Sequence, residues 1–369
     1  MTSLFELLKF GQSVWLDYID RNLVANGALA QLVADGLRGI TTNPTIFHKA
    51  ITGSSDYDAT ILDLLQAHHE IDPLTVYRWL SIQDVQMAAD TLRPLYDSSK
   101  GGDGYVSVEV SPHLAYDTGG TIEAVRELWK EVHRPNVMIK VPGTLEGLPA
   151  IEQLTAEGIN VNVTLLFSVE RYEHVFHAYV NGLVRNPDPQ DVASVASFFV
   201  SRVDSKIDPR LDELGIPEAA ALKGRIAVAN SKMAYQRFKT LVKGEAFIEQ
   251  QRRGARVQRL LWGSTSTKNP AYSDVMYVNE LIGPHTVNTV PPQTLDAYLA
   301  RGEVRLTLEE DVHRACSDLE ALGPLGISLA EATAELVVEG VEKFKDSHDA
   351  LVQALGLKLG DVAKNYAAG

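Results

Sequence analysis

Lys140 stands in the run Asn-Val-Met-Ile-Lys-Val-Pro at 136–142, which is otherwise almost wholly apolar. A lysine inside a buried strand is desolvated, which lowers its pKa and raises the fraction of neutral amine. A neutral amine is what a Schiff-base nucleophile needs. The competing reading is a structural lysine paired with a carboxylate, since ion-pair networks also perturb pKa values. Two carboxylates sit in comparable runs: Glu109 in GYVSVEV (104–110) and Asp17 in SVWLDYI (13–19). Chemistry at a Schiff base requires loss of water, removal of a proton from a carbinol oxygen and reprotonation of a carbon. Two carboxylates in unlike surroundings can divide that work. Their structural alternatives are a salt bridge to Lys140 and a strand-end cap.

A second group suggests an anion clamp. Arg202 can hold a phosphate through two parallel hydrogen bonds, Lys268 acts as a point charge, and Ser197 and Ser266 offer hydroxyls. Taken singly, each reads as an ordinary solvated surface residue. His174 and His177 have the spacing of a metal pair on a helix, but no third ligand is near in sequence, so they read as a solvated face. Arg252, Arg253, Arg256 and Arg259 read as a solvated turn, with contact to a partner subunit as the alternative. The glycines of KGGDGY (100–105) and DTGGT (117–121) lack strand–GxGxxG–helix order and read as turns. No P-loop, HExxH or GxSxG motif occurs, and no metal site is expected.

These residues need elements to position them. Short β-branched runs at 13–19, 39–43, 104–110, 136–141, 159–167, 195–203, 259–265 and 285–290 alternate with longer segments of helical periodicity. Repeated β-then-α order implies parallel strands joined by crossover helices, and eight such units predict an α/β fold, a closed (β/α)₈ TIM barrel. The helical segments include 22–36, 121–132, 144–158, 168–184 and 217–242. In such barrels the site lies where strands end, and desolvating a polar side chain there is costly, so each one requires an explanation. Asp17, Asn43, Glu109, Lys140, Asn162 with Thr164, Ser197 with Arg202, and Ser266 with Lys268 fall at or just beyond strands 1 to 7. Strand 8 offers Asn288 and Thr289, to which no role is given. Extra helical patterns fill 45–100, after strand 2, and 308–357, at the C-terminus. No flexible linker precedes either, so residues 1–369 are read as one domain, with a barrel over about 11–305 and the C-terminal helices packed on it.

Composition narrows the function. The chain has 369 residues, 45% hydrophobic and 22% charged, with a formal net charge of −14. An acidic whole argues against a general nucleic-acid or anionic-membrane binder, while a local basic pocket still suits a phosphorylated substrate. The single cysteine, Cys316, excludes an intrachain disulfide and a thiolate metal site. The N-terminal segment lacks the pattern of a signal peptide, and no apolar run has the length of a membrane span, so a cytoplasmic protein is expected. A homodimer is compatible with the sequence.

Five segments in order resemble the transaldolases: GITTNPTIF (39–47), VSVEVSPHLAYDT (106–118), VMIKVPGTLEGLPAIEQLTAEGINVNVTLLFS (137–168), ASFFVSRVD (196–204) and WGSTSTKNP (262–270). The likeness covers roughly 11–300 and is nearest to the longer bacterial subfamily. It implies transfer of a dihydroxyacetone unit from sedoheptulose 7-phosphate to glyceraldehyde 3-phosphate, giving erythrose 4-phosphate and fructose 6-phosphate in the pentose phosphate pathway, with no metal or organic cofactor. Lys140 would attack C2 of the ketose. Glu109 with Thr164 would position a proton-relaying water, and Asp17 would take the C4 hydroxyl proton. Asn43 and Asn162 would hold the bound three-carbon unit, and Ser197, Arg202, Ser266 and Lys268 the distal phosphate. Many transaldolases have arginine at the place of Lys268, and the segment here is one residue longer. The related fructose-6-phosphate aldolases usually have glutamine for Glu109 and tyrosine for Phe199, so both positions favour transfer. A non-catalytic sugar-phosphate-binding barrel would have lost Lys140 or its proton handlers.

Overall fold

The computed structural model describes residues 4–68 and 70–368. All eight expected strands form: β1 (Gln12–Asp17), β2 (Gly39–Thr41), β3 (Tyr105–Glu109), β4 (Val137–Pro142), β5 (Val161–Leu166), β6 (Ser194–Phe199), β7 (Arg259–Gly263) and β8 (Thr286–Val290). They pair in parallel, in chain order, and β1 closes the barrel by pairing with both β2 and β8. Helices cover the outside, so outward strand residues such as Ile40, Val108, Ile139 and Val163 are fully or nearly buried. A strand buried on both faces reads as a continuous apolar run, and that is why these segments were recognisable.

The period of two along each strand decides what faces inward. Trp15, Tyr105, Met138, Val195, Leu261 and Val287 form a separate apolar core. Two residues further along the same strands come Asp17, Ser107, Lys140, Ser197, Gly263 and Thr289. The lower layer is therefore packed and the layer toward the strand ends is polar. Gly39 makes room for the lower layer, since a Cβ there would lie 2.7 Å from the Trp15 indole. Arg259 closes the base, 3.1 Å from Asp103 and 3.0 Å from the Ser13 hydroxyl. This corrects the reading of a solvated turn for Arg256 and Arg259, the later half of the arginine cluster. Arg252 and Arg253 do stay exposed, Arg252 paired with Glu249 and Arg253 donating to the carbonyls of Leu183 and Asn186, while Arg256, half-buried, donates to that of Lys100.

Several helices begin on side-chain caps. Asn43, Asp72, Asp117 and Ser168 each accept from a backbone N–H three residues on, a contact worth about 1 kcal/mol. DTGGT is thus a helix start and not a turn, because Asp117 caps Thr118–Val132. Two expected helices are each split. The 22–36 segment breaks between Arg21–Ala25 and Ala28–Ala34 at Gly27, whose φ is 81°, and the 217–242 segment between Pro217–Ala220 and Ile226–Leu241, where Gly224 has φ 70°.

Three helices, Pro44–Gly53, Asp58–Ala67 and Pro73–Ser98, fill the insertion after β2. At the C-terminus Val312–Glu320 is followed by one helix over Leu329–Ala368, beyond the expected end at 357. That helix packs on Pro44–Gly53, Asp58–Ala67, Pro73–Ser98 and the helix Ser201–Leu214. Among the described residues no helix is long and apolar enough to cross a membrane.

Candidate active site

The polar layer lies at the C-terminal ends of the strands, where a cavity of about 430 Å³ opens. Asp17, Asn43, Lys140, Ser197, Phe199, Arg202, Ser266 and Lys268 all line it. Glu109 and Thr164 meet Lys140 in a small adjoining cavity, roofed by Val341 and Phe344 of the C-terminal helix. Asn162 is fully buried behind them. The ends of β1 to β7 and the segments just beyond them thus bring the expected set, from Asp17 to Lys268, to one place.

Lys140 is only 6% exposed. Its Nζ donates to Glu109 Oε1 at 2.9 Å and to the backbone carbonyl of Thr42 at 2.7 Å. Strand register sets this up, since Glu109 on β3, Lys140 on β4 and Asn162 on β5 are successive partners. The ion pair that competed as a structural explanation is therefore present, and its properties bear on the chemistry. Burial pushes the Glu109 carboxyl above the usual carboxylate range, against the pull of Lys140. A carboxyl raised in this way, 2.9 Å from the Lys140 amine, is placed to exchange a proton with it.

Thr164 owes its position to a bulge. Between Val163 and Leu166 two residues of β5 face one of β6, and the buried Leu165 takes a left-handed φ of 61°. Thr164 Oγ1 is buried and has no hydrogen-bond partner among the described residues. A buried hydroxyl without a partner is uncommon and costs about 1–3 kcal/mol.

Asp17, at the end of β1, accepts from Thr41 Oγ1 at 2.7 Å, and Thr41 meets Thr289 at 2.5 Å. Asn43 uses its carbonyl oxygen to cap Pro44–Gly53, which leaves its amide N–H groups for the cavity. Asn162 accepts from Ser197 at 2.6 Å and donates to Ser107 at 3.0 Å. Ser197 was grouped with the anion clamp in the sequence, but its hydroxyl belongs to this chain behind the lysine.

Arg202 was expected at the end of strand 6, yet β6 stops at Phe199 and Arg202 lies in the first turn of Ser201–Leu214. Its guanidinium lies 5.1 Å from the Phe199 ring centroid and 5.8 Å from that of Phe344. Burial lowers its pKa, and among the described residues it has neither an ion pair nor a hydrogen bond. Lys268 donates to Ser266 at 2.5 Å, and burial, then Arg202 and Lys343, lower its pKa. An unpaired, half-buried guanidinium beside a second cation is an arrangement suited to an anion.

Sequence reasoning missed Thr41, Ser107, Lys343 and Phe344. Thr41 was readable as the residue two after Gly39 on β2, whereas the C-terminal pair carries no local signal. Away from the cavity, His113, His348 and Asp349 bring ligand atoms within 4.8 Å of one another, but His113 and Asp349 already form a 2.7 Å pair that ties the C-terminal helix to the loop after β3. A wider groove of about 830 Å³ lies outside the barrel, with His174 and His177 in its lining. Both histidines are exposed, and no buried carboxylate or lysine lines the groove.

The family described as Transaldolase/Fructose-6-phosphate aldolase matches residues 14–355. The chain belongs to this family. It is 45% identical to Transaldolase 2 of Nostoc punctiforme, over 96% of this chain and 97% of that one. Identity is also 45% with a transaldolase of Thiobacillus denitrificans, over 95% and 99%, and 44% with one of Mycobacterium ulcerans, over 96% and 96%. The closed eight-stranded barrel is the family's fold, and the long C-terminal helix that borders the site lies largely inside the matched region.

Proposed function

We propose that this member of the transaldolase/fructose-6-phosphate aldolase family is a transaldolase, moving a dihydroxyacetone unit from sedoheptulose 7-phosphate to glyceraldehyde 3-phosphate. The observation that carries the reading is Lys140, buried in the centre of the barrel and 2.9 Å from a carboxyl whose pKa is raised. Glu109 takes the ammonium proton, and the neutral amine adds to C2 of the ketose. Proton return from Glu109, through a water held with the Thr164 hydroxyl, lets hydroxide leave the carbinolamine as water and the imine forms. Asp17 then takes the C4 hydroxyl proton; the C3–C4 bond breaks, its electron pair moves into the imine, and the aldehyde departs. The three-carbon enamine stays on Lys140 until a second aldehyde enters and the steps run in reverse.

The remaining residues bind. Asn43 amide groups and the Asn162–Ser197 chain face the three-carbon unit, and Arg202, Ser266 and Lys268 take the phosphate. Retention of the enamine follows from Phe199: an apolar ring in the lining supplies no proton to the enamine carbon. Release of free dihydroxyacetone, the aldolase reaction, is the second reading in the same family. One assay separates them. Fructose 6-phosphate with erythrose 4-phosphate should yield sedoheptulose 7-phosphate, and fructose 6-phosphate alone should yield little free dihydroxyacetone. Rapid release without an acceptor would make the chain an aldolase.

A further inference from the structure

The C-terminal helix does more than cover the barrel mouth. At Gly340 it comes so close that a Cβ would stand 2.8 Å from Leu165 Cδ2 and 3.5 Å from Arg202 Nη1. Val341, the next residue, and Phe344, one turn on, are buried, and the Phe344 ring lies against the Arg202 guanidinium. Three contacts of this kind fix the register of the helix over the site. Lys343, next to Phe344, is thereby delivered to the lining of the catalytic cavity. It stands near enough to Lys268 to disfavour that residue's charge.

The pairing around it is selective. On the same helix Glu335 and Glu339 are held by Lys206 and Arg210, and Glu342 by Lys345. Among the described residues Lys343, Lys268 and Arg202 have no carboxylate partner, and neither has Lys49, which lines the same cavity. In a chain of net charge −14, acidic partners are abundant, so these unpaired cations around one cavity, with Arg202 and Lys343 both near Lys268, mark a place for an external anion.

We infer that Lys343 is a third cation of the phosphate site, brought from the C-terminal helix to the phosphorylated end of the sugar, where it selects phosphorylated over neutral substrates. This rests on the phosphate clamp proposed above. Lys343 is exposed, and an ammonium acts as a point charge without bidentate geometry, so salt screens it.

The test is Lys343→Gln, assayed with fructose 6-phosphate and with unphosphorylated fructose as donors. A lost charge at a phosphate should raise KM for fructose 6-phosphate about 5- to 20-fold, with kcat within about twofold and the reaction of fructose unchanged. The loss should shrink as ionic strength rises, Lys343→Arg should restore most of it, and Lys345→Gln should leave both donors as they were. An unchanged KM for fructose 6-phosphate, or equal losses on both donors, would overturn the assignment. Arg202→Ala run in parallel separates the two levels. If it discriminates between donors and Lys343→Gln does not, only the role of Lys343 fails; if neither discriminates, the phosphate clamp fails with it.

Discussion

A lysine and a glutamate 2.9 Å apart in a buried layer could simply hold a fold together. What distinguishes this pair is the direction in which the glutamate is perturbed. Glu109 is raised by burial, so below its pKa it is neutral and, in the mechanism proposed above, could not accept the Lys140 proton; activity should then fall as pH falls. The acid limb of the kcat/KM profile should therefore lie above the ordinary carboxylate range. Glu109→Gln should remove that limb and lower kcat by about 10²- to 10⁴-fold, as loss of a general acid–base does. An acid limb retained in the variant would assign it to another group. Phe199 offers a second residue-scale test. Its ring lines the cavity, against Phe167 and Arg202. Phe199→Tyr places a hydroxyl there, and we expect faster release of free dihydroxyacetone and slower transfer to an acceptor. A parallel fall in both rates would make Phe199 a packing residue only. At this scale the sequence was informative where one strand carried the signal: Lys140, Glu109 and Asp17 stand out as polar breaks in apolar runs. It was silent where the partner is remote, as with Lys343 and Phe344, and misleading for Ser197, whose hydroxyl is already engaged by Asn162.

Elements were legible through their periodicity, and the exceptions have local causes. Eight apolar runs became eight strands because both faces are covered. Helices 22–36 and 217–242 broke where glycines take positive φ, a feature that apolar spacing does not encode. The helix Ser201–Leu214, which carries Arg202, is itself held by buried carboxyls. Asp204 accepts from the Ala227 backbone N–H at 2.7 Å and from the Tyr277 hydroxyl at 2.8 Å, while Asp208 accepts from the Gly224 N–H and the Tyr272 hydroxyl. Burial, with neighbouring Asp208 adding to it, pushes Asp204 up to about 7. Between the unfolded carboxyl value of about 3.9 and that point, the folded chain keeps a proton that the unfolded chain has lost, so this group makes stability fall as pH rises. The penalty is at most about 4 kcal/mol and is complete above pH about 7. Asp204→Asn should accordingly flatten the melting temperature between pH 5 and 8 and raise it at the alkaline end. Parallel pH profiles for the two proteins would show that Asp204 titrates normally.

The whole molecule is a barrel whose mouth is bordered by one long helix from the far end of the chain. We propose that barrel and helix act as one domain, because Gly340, Val341 and Phe344 join the helix to β5 and to Arg202 in the site itself. The barrel could be foreseen from the repeat of strand and helix, but not the path of the last helix across it, since an amphipathic pattern states that a face is buried and not against what. Everything proposed for the reaction depends on Lys140 being the nucleophile at the centre of this assembly. The most direct measurement is to incubate the protein with fructose 6-phosphate, reduce with borohydride and map the modified residue by mass spectrometry. A reduced three-carbon unit on Lys140 alone, absent from a folded Lys140→Ala variant that has lost transfer, is the predicted result. Trapping at another lysine, or an active alanine variant, would contradict the account.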